Sequence, residues 1–144
     1  MNRISSSDGS GSHLTLGEGI ELRKVLVPER ILRMRQIAGQ IYVDERIKTY
    51  VLDIVFATRN PEDYRLDLGR LIRFGASPRA SIGILCASRA QAFLKGRGFV
   101  IPDDVKSVAP DVLRHRILLT YEAEAEGFQP GDLVERILST VPAP

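Results

Sequence analysis

The chain has one cysteine, no tryptophan and two histidines in 144 residues. With Cys86 alone, neither an internal disulfide nor a multi-cysteine metal site can form. That usage fits a reducing compartment, and a cytoplasmic location is expected. No apolar run approaches the roughly 20 residues that span a bilayer, so no membrane insertion is expected. The N-terminus lacks the charged-then-apolar layout of a secretory signal. A net charge of +2 gives no basic excess to hold nucleic acid. The few aromatics offer no stacking platform for bases, so nucleic acid is not an expected partner.

Catalytic groups are equally scarce. There is no Gly-x-x-x-x-Gly-Lys-Ser/Thr run, hence no phosphate-binding P-loop. No acidic pair follows a hydrophobic strand to hold magnesium. His13 lies in a Ser/Gly-rich leader, which leaves His115 as the one candidate catalytic histidine. A single histidine without cysteine partners makes a zinc site unexpected. Asp103 and Asp104 are neighbours on a helix and point about 100° apart. They read as acids at a helix's positive end, not as a catalytic pair. The chain by itself is therefore not expected to be an enzyme.

What is present is enough for one ordinary domain. The hydrophobic share of 44% is normal for a globular chain. Residues 1–24 are expected to be a flexible leader, vector-derived or linker, because Met1 to His13 has too little apolar surface to offset ordering. Leu14 to Val27 fits either an extended approach segment or a frayed helix. Residues 25–144 read as a helical domain.

From Pro28 the periodicity is helical throughout. Ile31, Met34, Ala38 and Ile41 recur at three- and four-residue steps. Asp44 and Glu45 open a second helix with the stripe Ile47, Tyr50, Val51, Ile54, Val55 and Thr58, ended by Asn60-Pro61. Leu66 to Phe74 has room for a short helical turn. Pro78 to about Lys95 is apolar over most of its circumference. Its narrow polar stripe is Ser81, Ser88, Gln91 and Lys95, and Cys86 reads as a small core residue. Gly96-Arg97-Gly98 ends it with a glycine ready for a left-handed cap. Pro102-Asp103-Asp104 opens the next helix, with Val105, Val108, Val112 and Leu113 inward and Pro110 dividing it. Thr120 caps a short piece from Tyr121 to Glu126. Gln129-Pro130-Gly131-Asp132 opens a last helix with Leu133, Val134, Ile137 and Leu138 inward. Phe99-Val100-Ile101 is the one extended candidate. The fold class is all-α, a bundle of five to seven helices.

One loop unites placement and chemistry. In Phe74-Gly75-Ala76-Ser77-Pro78-Arg79-Ala80, Gly75 permits turn geometry that other residues resist. Ser77 is placed to cap the helix through its side chain, and Pro78 suits the first helical position. Arg79 is thus presented at a helix start, where a guanidinium can grip a phosphate with two hydrogen bonds. Its other reading is a solvated arginine on a capped helix. Arg114, His115 and Arg116 form a small basic cluster. It is either a helix C-terminus complementing the dipole or a contact to a neighbouring subunit or acidic partner. Lys95 and Arg97 read as a solvated helix end.

Three blocks add a family resemblance: Ala57-Thr58-Arg59, Gly75-Ala76-Ser77-Pro78-Arg79-Ala80, and Gly96-Arg97-Gly98-Phe99-Val100-Ile101-Pro102-Asp103-Asp104-Val105. With Ala109-Pro110-Asp111-Val112-Leu113-Arg114-His115-Arg116-Ile117 and Tyr121-Glu122-Ala123-Glu124-Ala125-Glu126-Gly127 following in order, the chain resembles the C-terminal lid of MoxR-type AAA+ ATPases over roughly Val25 to Leu138. The resemblance implies a helical subdomain beside an N-terminal nucleotide-binding domain that supplies the P-loop, the magnesium-binding motif and an arginine finger. It implies that Arg79 is the sensor-2 arginine. It also implies ATP and Mg2+ as ligands of the parent protein, a ring oligomer (a hexamer being usual), and remodelling or maturation of a client protein. Two other readings stand beside it: a helical protein-interaction module with no nucleotide role, and a small helical nucleic-acid binder using the residues near Arg114.

Overall fold

The computed structural model describes the backbone of Leu14–Thr15 and Glu21–Leu22, and residues 25–144 in full. The leader expected over residues 1–24 otherwise lies outside the described residues. The chain divides into two units, residues 1–34 and 35–144. In the first, β1 (Leu14–Thr15) pairs antiparallel with β2 (Glu21–Leu22), and α1 (Pro28–Gly39) begins. Of the expected stripe only Ile41, just past α1, is buried: no residue within α1 is buried, and Ile31 is 46% exposed.

The second unit holds α2 (Glu45–Ala57), a 3-10 turn (Pro61–Tyr64), β3 (Ile72–Phe74), α3 (Arg79–Leu94), α4 (Pro102–Leu113), β4 (Leu118–Leu119), α5 (Tyr121–Ala125) and α6 (Pro130–Thr140). The architecture is the expected all-α bundle, with six α-helices among the described residues. Its core joins Ile47, Tyr50, Val51, Ile54 and Val55 of α2 to Ile84 of α3, Val105 and Leu113 of α4, and Leu133, Val134 and Ile137 of α6. α3 packs most extensively on α4, which also meets α6.

The helix ends follow their local chemistry. Asp44 caps α2 by accepting from the Arg46 amide at 2.9 Å. Gly96 takes φ +70 after α3, and the amides of Gly96 and Arg97 return to the carbonyls of Phe93 and Ala92. Thr120 caps α5 by accepting from the Ala123 amide, and Gly127 (φ +86) follows that helix.

Four expectations are corrected. Pro110 does not divide its helix: α4 runs through it to Leu113. One lost backbone bond is outweighed by burial of Val105, Ala109 and Leu113 on the same face. Leu66 to Phe74 does hold a short turn, with the Leu71 and Ile72 amides returning to the Leu68 carbonyl at 2.9 and 3.1 Å, but it does not end as one. Its last three residues form β3, which pairs antiparallel with β4, Ile72 opposite Leu119 and Phe74 opposite Leu118, with a bulge at Arg73. The helix α3 is turned the other way from its apolar count. Ala80, Ser81, Ile84, Ser88 and Ala92 face inward, while Ile82 and Leu94 are 63% and 72% exposed. Small residues on that face let neighbouring helices approach closely, which favours Ala and Ser over bulkier apolar groups. Cys86 accordingly is exposed and not a core residue.

The fourth correction concerns Arg97, which is not a solvated helix end. It forks onto Asp104 at 2.8 and 2.5 Å, with Lys95 at 3.5 Å from the same carboxylate. Asp104 is fully buried and also accepts from the Ile101 amide at 3.0 Å. Burial alone pushes the Asp104 carboxyl up. The hydrogen bonds from Arg97 and Ile101, with the nearby positive charge, outweigh it and hold the pKa below the ordinary carboxylate range. A carboxylate depressed in the folded state stabilises the fold above its unfolded pKa of about 3.9, and loses that contribution as pH falls through the folded value. The melting temperature is therefore expected to be level near neutrality and to fall from about pH 5 downward. Asp104→Asn should lower the plateau and flatten the acid limb. An unchanged acid limb in the variant would count against this ion pair as the acid-sensitive brace.

Candidate functional site

Arg79 is set by what happens two elements earlier. Thr58, just past α2, is fully buried. Its hydroxyl donates to the Val55 carbonyl at 2.6 Å and accepts from the Ala76 amide at 2.9 Å. The loop before α3 is thus tied to the end of α2 by one side chain. Gly75 lies directly against that helix end. A Cβ there would overlap the Thr58 carbonyl and stand 2.9 Å from the Arg59 Cα. Gly75 is not among the positive-φ glycines, so close approach, not turn geometry, demands glycine. The Arg59 guanidinium adds a 3.4 Å hydrogen bond to the Ala76 carbonyl.

The helix then starts tightly. Pro78 has helical dihedrals (φ −54, ψ −24), as its ring prefers. The Ser77 carbonyl accepts from the Ala80 amide at 2.8 Å, and the Pro78 carbonyl from the Ser81 amide at 3.1 Å and the Ser81 hydroxyl at 2.6 Å. The side-chain cap expected of Ser77 is absent: α3 has no side-chain cap hydrogen bond. The loop carbonyls have already taken the amides such a cap would satisfy. The same closure means that an anion at this helix start would be held by side chains, not by those two amides.

Arg79 itself is exposed, and among the described residues it forms no ion pair. Arg73, in β3, is otherwise engaged: its guanidinium lies 5.5 Å from the Phe74 ring centroid and 5.9 Å from that of Tyr121.

The basic cluster is split by the fold. Arg114 pairs with Asp111 at 3.0 Å. Arg114 and His115 border a cleft of about 380 Å³ that Glu124 and Phe128 also line. Arg116 turns toward α3, where its Nη2 stands 4.0 Å from the position a Cβ on Gly83 would take. All three are exposed. No group of three or more His, Cys, Asp or Glu among the described residues could hold a metal. Among the described residues the site thus presents exposed arginines outside any ion pair and no cluster of metal ligands. Thr58, Arg59 and Gly83 were not singled out from the sequence as site residues. The signals were a threonine-arginine pair at a helix end and a glycine inside an apolar helix.

The AAA lid domain family model matches residues 68–137. The chaperone MoxR1 of Mycobacterium tuberculosis is 44% identical over 125 residues, covering 86% of this chain and 33% of that protein. The chain is a AAA lid domain of the MoxR family. Protein MoxR of Paracoccus denitrificans is 40% identical over 105 residues, covering 68% of this chain and 31% of the relative. A crystal structure from Cytophaga hutchinsonii, described as a candidate ATPase, superposes with a TM-score of 0.81 at 38% identity, over 85% of this chain and 37% of that one. The MoxR-family chain thus spans about a third of the length of the curated relatives it matches. Among the described residues, no helix is long and apolar enough to cross a membrane.

Proposed function

We propose that this lid is the C-terminal part (residues 25–144) of a longer AAA+ ATPase, and that Arg79 is its sensor-2 arginine. One observation carries the reading. Arg79, in no ion pair among the described residues, stands at a helix start that follows a loop tied to α2 through Thr58 and Gly75. Rigid placement of an unpaired arginine is what phosphate sensing needs, because the charge it answers develops on the transferred phosphoryl group.

In this reading the N-terminal nucleotide-binding domain holds ATP and Mg2+, and the metal neutralises phosphate charge. Arg79 reaches the same phosphates from the lid side. Hydrolysis removes the anion that Arg79 holds and releases the lid to rotate as one body. In a ring of subunits, a hexamer by the family pattern, that rotation is transmitted to a client protein in the cytoplasm. The chaperone role rests on the name of the M. tuberculosis relative.

The test is ATP turnover by the full-length protein. Arg79→Ala is expected to lower kcat/KM about a hundredfold to a thousandfold, the range for one lost transition-state donor. Its melting temperature should match the wild type, since the residue is exposed. Turnover indifferent to Arg79 would overturn the assignment and favour a passive helical interaction module.

A further inference from the structure

We propose that Arg116 is a second phosphate-contacting residue, and that Arg79 and Arg116 together form a two-guanidinium site for a polyphosphate chain. The inference rests on the proposed role of Arg79 and extends it to a residue outside the loop that presents it.

The argument begins at Gly83. Glycine inside a helix is destabilising relative to alanine, so its presence in the middle of α3 needs a cause. The cause is the approach of the α4 end. A Cβ on Gly83 would stand 3.3 Å from the Val112 Cγ1 and 4.0 Å from the Arg116 Nη2. The missing side chain leaves a notch, and the Arg116 guanidinium lies over it. Residues 79 and 83 are four apart on α3 and so share one face, a single turn apart. The fold thereby brings the Arg116 guanidinium to the side of α3 on which Arg79 sits one turn earlier.

Neither charge is neutralised within the described residues. Arg114, two positions before Arg116, has Asp111; Arg79 and Arg116 have no acidic partner. Like charges on one helical face are unfavourable until something anionic sits between them. The amides of Ala80 and Ser81 are already bonded to loop carbonyls, so the two side chains supply the positive field. Guanidiniums match phosphate oxygens with paired hydrogen bonds and stay charged at all working pH values. Two of them spaced along a face suit adjacent phosphoryl groups better than a single small anion. The ligand class is a di- or triphosphate.

The test uses the full-length protein, with ATP as substrate and inorganic tripolyphosphate as a competing probe. Arg116→Gln is expected to raise the KM for ATP and the inhibition constant for tripolyphosphate about tenfold each, the scale of one lost charged contact. The effect on kcat should be smaller, and the melting temperature unchanged. Arg116→Lys should recover part of the loss, because it keeps the charge but not the fork. If Arg116→Gln leaves both constants unchanged while Arg79→Ala still lowers turnover, the second contact is overturned and the sensor assignment stands. If Arg79→Ala also leaves turnover unchanged, both fall. A lowered melting temperature with full recovery in Arg116→Lys would mark a structural contact to α3 and overturn the proposal.

Discussion

Ile54→Asp is expected to unfold the helical domain or leave it without fixed packing. Ile54 is fully buried in α2, on the face that also buries Ile47, Tyr50, Val51 and Val55. A carboxylate there loses its hydration and gains no partner, and it removes a branched side chain from a close-packed core. Together these exceed about 4 kcal/mol, a large share of the roughly 5–15 kcal/mol that holds a domain folded. Two companions isolate the cause. Ile54→Val should cost about 1 kcal/mol, for one methyl. Leu52→Asp, on the outer side of the same helix at 43% exposure, should stay within about 0.5 kcal/mol. Urea unfolding followed by helical circular dichroism reads all three. Equal midpoints for Ile54→Asp and Leu52→Asp would mean that α2 does not bury the face described here.

The contrast between α2 and α3 explains what the sequence made legible. In α2 most apolar residues fall on one side, with Leu52 and Phe56 outside it, so periodicity alone identifies the buried face. In α3 apolar residues nearly encircle the helix, and periodicity has no direction to report. The inward face then went to Ala80, Ser81, Ser88 and Ala92 for reasons of size. Count favoured Cys86 and Ile82, and they lie outside. The β3–β4 ribbon was invisible for a different reason. Its strands have three and two residues with a bulge between, too short for alternation to register. Helix ends were the most readable feature, because Asp44, Gly96, Thr120 and Gly127 act through their own local chemistry.

The site was legible in its charge but not in its support. Arg79 stood out through its proline and glycine neighbours. Arg97 and Asp104 are seven residues apart and were read separately, as a solvated helix end and as an acid at a helix's positive end, because nothing local says that a loop folds one onto the other. Arg116 was grouped with Arg114 and His115 by adjacency. Tertiary packing separates them, since α4 ends at Leu113 and the chain turns there.

Gly75→Ala should weaken the fold and disable the site at once, with Arg79 chemically intact. The added Cβ meets backbone, the Thr58 carbonyl and the Arg59 Cα, and no rotamer change can move it away. Either the loop or the end of α2 must shift. A shift strains the hydrogen bond from the Ala76 amide to the Thr58 hydroxyl, and both of those residues are fully buried. Overpacking of this kind costs about 1–3 kcal/mol. Displacement of the α3 start by about 1 Å would also move Arg79 away from the phosphates proposed for it, and misplacement of that size lowers catalysis up to about a hundredfold. Turnover by the full-length protein should therefore fall at least tenfold, at temperatures where the variant is still folded. Gly98→Ala is the matched control. No atom lies within 4 Å of its would-be Cβ, and its φ is not positive, so stability and turnover should both hold. A Gly75→Ala protein with normal turnover would mean that Arg79 is not placed by the contact between its loop and α2. A variant that loses turnover through KM alone would instead place the contact in nucleotide binding, before the transition state is reached.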